Sequence, residues 1–222
     1  MDMSGGGARI LIARHGQSLW QLTPGCDDDS ALTVLGHRQS LLLGRWLAAG
    51  PRVDGTRRLR LAAVYTSPLL RARQTAAYPA ALLGAGLETR EDLREAAFHV
   101  AAHLPPAPEP VPAGLARVRT PGGPASEEER REAYEGFKEQ ARSALTGLAR
   151  SAERARDEDR GAVLAVSHGG LIKTLLRLAA GTDAVCFRIY NTGLCGLEWR
   201  RDRWHLVHLN LWDHLPPGLR TR

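Results

Sequence analysis

An apolar run through Leu11–Ala13 ends abruptly on a cation, an imidazole and a glycine, Arg14-His15-Gly16. A turn that is merely basic reads this way, and so does a strand tip that presents a nucleophile to a phosphate. Two other apolar segments bear on the choice. Gly161–Val166 runs into Ser167-His168-Gly169-Gly170, and Leu61–Thr66 runs into Ser67-Pro68 with Arg71 close behind. A phosphoryl group needs its charge neutralised and a nucleophile placed in line. Arg14, Arg71, His15 and His168 supply both if the three segment ends converge. A neutral imidazole is a good nucleophile, and clustered arginines favour its neutral form. Gly16 and Gly169 let the backbone come close to phosphoryl oxygens. Helix N-termini after Ser67 and after His168 are expected to add N–H groups and a favourable dipole.

Convergence depends on the elements that carry these residues. Arg9–Ala13, Leu61–Thr66 and Gly161–Val166 read as short buried strands, and Leu87–Asp92 as another short strand. Thr33 caps a helix to about Ala49 with Leu35, Leu42, Leu43, Trp46 and Leu47 on one face, stopped by Gly50-Pro51. Ser67 as N-cap and Pro68 as first helical residue open a second helix to about Leu83, closed at Gly84. Ser126 and Glu129 form a capping box before a helical series Tyr134, Phe137, Ala141, Leu145, Leu148 and Ala152. A last helix runs from about Leu171 to Ala180. Leu194–Trp199 and Trp204–Leu209 read as strands joined at Arg201-Asp202. Strands alternating with helices predict a three-layer α/β fold with a mainly parallel sheet and helices on both faces. Ligands of such sheets bind outside the carboxyl ends of the strands, where the three motifs fall.

Length and composition set the bounds. The 222 residues suit one domain, here spanning 1–222, and the Pro-rich segment 105–124 reads as an insertion or loop that roofs the site. Arg45 splits the best candidate for a membrane span, Leu41–Ala49, and the N-terminal stretch is charged too early for a secretion signal. A cytoplasmic protein is expected. Cys26, Cys186 and Cys195 show no metal or redox spacing. Lys and Arg number 30 against 24 Asp and Glu, and the excess is arginine, whose fork suits phosphate. No basic run is interleaved with aromatics, so nucleic acid is not an expected partner. His99-x-x-x-His103 has the spacing of a helical metal pair but lacks the glutamate of a zinc protease, and Pro105-Pro106 follow at once.

Five motifs stand in a fixed order: Arg14-His15-Gly16-Gln17-Ser18; Leu32-Thr33-x-x-Gly36-x-x-Gln39; Ser67-Pro68-x-x-Arg71-Ala72-x-x-Thr75-Ala76; Leu93-x-Glu95; and Ser167-His168-Gly169-Gly170. With Asn191, Leu209-Asn210 and His214-Leu215 they make the chain resemble the histidine phosphatase superfamily, also called the phosphoglycerate mutase-like family. The resemblance implies that His15 attacks phosphorus and becomes a phosphohistidine. It implies that Arg14, Arg71 and His168 hold the phosphoryl oxygens, and that Glu95 protonates the leaving oxygen and then deprotonates water. Glu91 is the alternative acid. Neither metal nor cofactor is implied, and the expected partner is a small-molecule phosphate ester. Gln21 stands where many members carry a phosphate-binding Asn, and Gln17 where many carry Glu. After Glu95 the chain reads Ala96-Ala97-Phe98 where mutases continue with Arg and then Tyr-Gly. The resemblance therefore favours a phosphomonoesterase. A phosphoglycerate mutase and a non-catalytic phospho-ligand module are the alternatives.

Overall fold

A computed structural model describes residues 7–23, 29–51, 58–96, 127–159 and 161–222. Six strands form one sheet: β1 (Ala8–Arg14), β2 (Leu61–Thr66), β3 (Leu87–Thr89), β4 (Ala162–Ser167), β5 (Leu194–Arg200) and β6 (Arg203–Leu211). Their spatial order is β3-β2-β4-β1-β5-β6. The first three pairings are parallel, β5 runs antiparallel to β1, and β6 antiparallel to β5. Register puts Arg14 beside Ser167 and Thr66 beside Val166. The ends of β1, β4 and β2 therefore share one edge of the sheet, and the three motifs meet there.

Helices cover both faces: α1 (Leu19–Leu22), α2 (Val34–Ala48), α3 (Leu70–Leu83), α4 (Glu127–Asp157) and α5 (Gly169–Ala180). Successive strand side chains point to opposite faces. Ile10 and Ile12 of β1 pack with Val163 and Ala165 of β4 under Leu148 of α4 and Leu171 and Leu175 of α5. Leu11, Ala13, Leu164 and Val166 pack on the other side against Leu43 and Leu47 of α2 and Ala72 and Ala76 of α3. The expected three layers are present. Strands buried on both faces read as continuous apolar runs for this reason. Among the described residues no helix is long and apolar enough to cross a membrane.

Thr33 caps α2 as expected, its hydroxyl accepting from the Gly36 N–H at 3.0 Å. The buried stripe of α2 is narrower in leucine than the sequence suggests. Gly36, Gln39, Ser40 and Gly44 are buried beside Leu43 and Leu47, while Leu35, Leu42 and Trp46 are only half-buried. Small residues sit there because the loop after β1 and helix α3 approach closely. A Cβ on Gly36 would run into the Gln17 carbonyl, and one on Gly44 would lie 3.0 Å from the Pro79 nitrogen.

Three boundaries differ from expectation. Helix α3 starts at Leu70 with Leu69 as its N-cap, so Ser67 is not the cap; its hydroxyl is held by His168 instead. Strand β3 ends at Thr89, and a 3-10 turn, Glu91–Leu93, takes over because the Arg90 guanidinium folds back onto the Asp92 carboxylate at 3.1 and 2.6 Å. Helix α5 starts at Gly169 rather than at about Leu171, with His168 as its N-cap. Helix α4 ends at Asp157. Its face is as expected, with Tyr134, Phe137, Ala141, Leu145, Leu148 and Ala152 buried. Arg201 and Asp202 both have positive φ, 52° and 56°, and make the two-residue hairpin turn. Ser126, the His99/His103 pair and the segment 105–124 lie outside the described residues.

Candidate active site

His15 follows β1 directly. Its N–H donates to the Ser167 carbonyl at 2.9 Å, and its own carbonyl accepts from Asn191 Nδ2 at 3.0 Å. Backbone is thus fixed on both sides of the ring. The Nδ1–H donates to the Gly16 carbonyl at 2.7 Å. That hydrogen bond places the only ring proton of the neutral imidazole on Nδ1 and leaves Nε2 with a lone pair. Arg71 Nε donates toward this Nε2 at 3.3 Å. Helix α3 holds the same loop again, since Thr75 Oγ1 accepts from the Gly16 N–H at 2.9 Å and donates to the Arg71 carbonyl at 2.7 Å.

Arg14 leaves the last position of β1. One end of its guanidinium donates to the Ile189 carbonyl at 2.7 Å, while its buried Nε has no partner among the described residues. His168 is fully buried with its ring centroid 5.1 Å from that of His15. Its Nε2 meets Ser67 Oγ at 2.7 Å, and its Nδ1 has no partner among the described residues. Unpaired polar atoms in a buried centre cost free energy unless a ligand completes them. Arg14 Nε and His168 Nδ1 are two such atoms on residues that neighbour His15.

Glu95 lies at the N-terminus of α5. One carboxylate oxygen accepts from the Gly170 N–H at 2.8 Å, the other from Leu171 at 3.0 Å and from Ala96 at 3.1 Å. The helix N-terminus after His168 was expected to face phosphate, but these two N–H groups are committed to Glu95. At α3 the Leu70 N–H is likewise taken by the Asp29 carboxylate. A carboxylate is the natural partner of the positive end of a helix, so the site's positive character comes mainly from side chains. Glu91 is exposed and paired with Arg94 at 3.1 Å.

Gln21 is engaged throughout. Its Oε1 accepts from the Ser18 N–H and from Asn191 Nδ2, and its Nε2 donates to Asn191 Oδ1 and to the Arg222 carbonyl. It therefore braces Asn191, which braces His15. Gly16 needs to be glycine for a packing reason: a Cβ there would lie 2.6 Å from the Gly36 carbonyl oxygen. A Cβ at Gly169 would make only ordinary contacts with the Arg14 side chain. Lys173 is a cation that no motif flagged. It sits one turn beyond Gly169, which would have placed it on the face toward Arg14. Burial first, then Arg14, lowers its pKa, and Glu95 opposes this.

Burial, then Arg14 and Arg71, hold the His15 imidazole well below its ordinary 6.5. Burial, then His15 and the arginines Arg71, Arg14 and Arg94, do the same for His168. Burial also lowers His214 to about 4. The unfolded chain binds protons on these rings near pH 6.5 and the folded chain does not, so folding stability is expected to fall as pH drops below 6.5, with the His214 share fully lost by about pH 4. Urea midpoints between pH 7.5 and 5 check the sign. An NMR titration of the His15 ring with its midpoint near 6.5 would refute the cause.

The family model for the histidine phosphatase superfamily (branch 1) matches residues 10–211. The chain belongs to that superfamily. No curated protein sequence matches it, but solved structures share the fold. The Entamoeba histolytica phosphoserine phosphatase bound to 3-phosphoglyceric acid aligns with TM-score 0.61 and 20% identity, over 94% of this chain and 99% of that one. The mycobacterial glucosyl-3-phosphoglycerate phosphatase in complex with VO3 aligns with TM-score 0.62 and 21% identity, over 91% and 99%. Bacillus stearothermophilus YhfR gives 0.64 and 20%, over 93% and 98%. In this histidine phosphatase fold the motifs that follow β1, β2 and β4 meet at one edge of the sheet because those strands are parallel neighbours.

Proposed function

We propose that the protein is a phosphomonoesterase that hydrolyses small phosphorylated metabolites through a phosphohistidine on His15, with no metal and no cofactor. The observation that carries the reading is the His15 ring itself. Its Nδ1 proton is pinned to Gly16, so Nε2 carries the lone pair, and the Arg71 guanidinium donates to it at 3.3 Å, where the phosphoryl group would be met by both. In the first step Nε2 bonds to phosphorus and the ester P–O bond breaks. The leaving oxygen takes a proton from Glu95. Water then attacks the phosphohistidine and gives a proton back to Glu95, and the N–P electron pair returns to Nε2. Arg14, Arg71 and His168 hold the phosphoryl oxygens, the Gly169 backbone lies against them, and Gln21 contributes by bracing Asn191. Superfamily membership supports the chemistry. The relatives' names support a small phosphorylated substrate of the kind that phosphoserine and glucosyl-3-phosphoglycerate represent.

The test is phosphate release from a panel of sugar phosphates, nucleotides, phosphoglycerates and phosphopeptides. Release from small esters is expected, unchanged by a chelator. A loss with chelator that zinc or magnesium restores would refute the metal-free chemistry. Conversion of 3-phosphoglycerate to 2-phosphoglycerate would make the protein a mutase, and stoichiometric binding without release would make it a binding module.

Arg14→Ala and Arg71→Ala are each expected to lower kcat by about 10²–10³-fold, because charge demand on the phosphoryl oxygens grows toward the transition state. Steady-state kinetics on p-nitrophenyl phosphate check this. A raised KM with unchanged kcat would mean uniform binding instead.

A further inference from the structure

We infer that Ser67 is a positioning residue that fixes His168 as the tautomer with its proton on Nδ1, so that this ring offers an N–H to an anionic ligand beside His15. Ser67 and His168 are fully buried at neighbouring strand ends, and the Ser67 backbone is itself tied to β4 by its N–H to the Val166 carbonyl at 3.0 Å. The serine hydroxyl has one proton and two lone pairs. One lone pair accepts from the Leu69 N–H at 3.3 Å. The 2.7 Å contact with His168 Nε2 then has two possible directions.

Suppose that Nε2–H donates. The hydroxyl proton then has no acceptor among the described residues, and Nδ1 becomes a bare buried lone pair with none of its own. Two groups are left unpaired. Suppose instead that Ser67 donates. Its proton and one lone pair are used and Nε2 is satisfied; the spare lone pair belongs to an oxygen that already makes two hydrogen bonds, so the Nδ1–H is the one group of the pair with no bond at all among the described residues. Each unpaired buried group costs about 1–3 kcal/mol, so the second arrangement wins. The remaining group is also the useful one, since a lone pair at Nδ1 would repel a phosphoryl oxygen and an N–H attracts it. Burial and the neighbouring arginines keep the ring neutral, so there is a single proton to place. Two imidazoles 5.1 Å apart thereby receive opposite tasks. The Gly16 carbonyl makes His15 a lone-pair donor, and the Ser67 hydroxyl makes His168 a proton donor.

The kinetic arm of the test rests on the phosphatase reading, and the spectroscopic arm does not. In ¹⁵N NMR of the histidine-labelled full chain at pH 7.5, His168 is expected to carry its proton on Nδ1, and added inorganic phosphate should shift that nitrogen. A proton on Nε2 in the unsubstituted protein overturns the inference whether or not any variant folds. Ser67→Ala is expected to move the proton toward Nε2. It should lower kcat on p-nitrophenyl phosphate by about 10–100-fold, as when the partner orienting a histidine ring is removed, with a smaller change in KM. Ser67→Cys, a weaker donor, should fall between. A Ser67→Ala protein with the tautomer unchanged also overturns the inference. Absence of turnover in the unsubstituted protein would instead remove the phosphatase reading and leave the tautomer to the spectrum.

Discussion

His15→Ala is expected to abolish turnover, with a loss of about 10⁴-fold or more, as when an enzyme loses a nucleophile that works in concert with its neighbours. The fold should survive. The residue's backbone bonds to Ser167 and Asn191 do not involve the ring, and the loop is held independently by Thr75 on the Gly16 N–H. The substitution also relieves the cost of keeping a neutral imidazole buried between two guanidinium groups, so the acid sensitivity of stability should lessen rather than grow. Two measurements check the role. Thermal melts of the variant should stay close to those of the parent. A phosphoryl group trapped from substrate should be acid-labile and map to His15. A label on a serine or a cysteine would give the attack to another residue.

Glu95→Gln carries the second large effect. An alkoxide is a poor leaving group and needs a proton as the P–O bond breaks, whereas nitrophenolate leaves without one. Alkyl phosphates are expected to slow by about 10²–10⁴-fold, the range of acid–base catalysis. Phosphoenzyme formation from p-nitrophenyl phosphate should suffer far less, while its breakdown still lacks the carboxylate. A burst of nitrophenol should therefore precede a slow steady state. The tertiary contacts add a complication that a shape argument alone misses. Both carboxylate oxygens accept from N–H groups of α5, so an amide must turn its NH₂ toward one of them. A stability loss of about 1 kcal/mol is expected from that mismatch, and a thermal melt separates it from the kinetic effect. A burst in Glu91→Gln but not in Glu95→Gln would transfer the acid role to Glu91. Equal losses on both substrates without a burst would mean that Glu95 holds α5 in place and does not move a proton.

What the sequence determined by itself is local or periodic. The apolar run at β4 is legible because a strand buried on both faces is apolar along its length, and the helical steps from Tyr134 to Ala152 because one face of α4 packs on the sheet. Motifs at strand ends are legible because parallel strands put their carboxyl ends on one edge whatever their order. Tertiary structure decided the rest, through hydrogen bonds between distant residues that leave no periodic trace. Ser67 looks like a helix cap in sequence, since a serine before proline suits one, yet its hydroxyl is taken by a histidine 101 positions away. Asn191 supports the carbonyl of His15 across 176 positions. Glu95, one carboxylate among several neighbours, is singled out because α5 presents two N–H groups to it and Glu91 turns to Arg94. Residue type states which partners a group can take. Only the packed backbone states which of them is within 3 Å, and that distance sets which ring nitrogen holds a proton and which holds a lone pair.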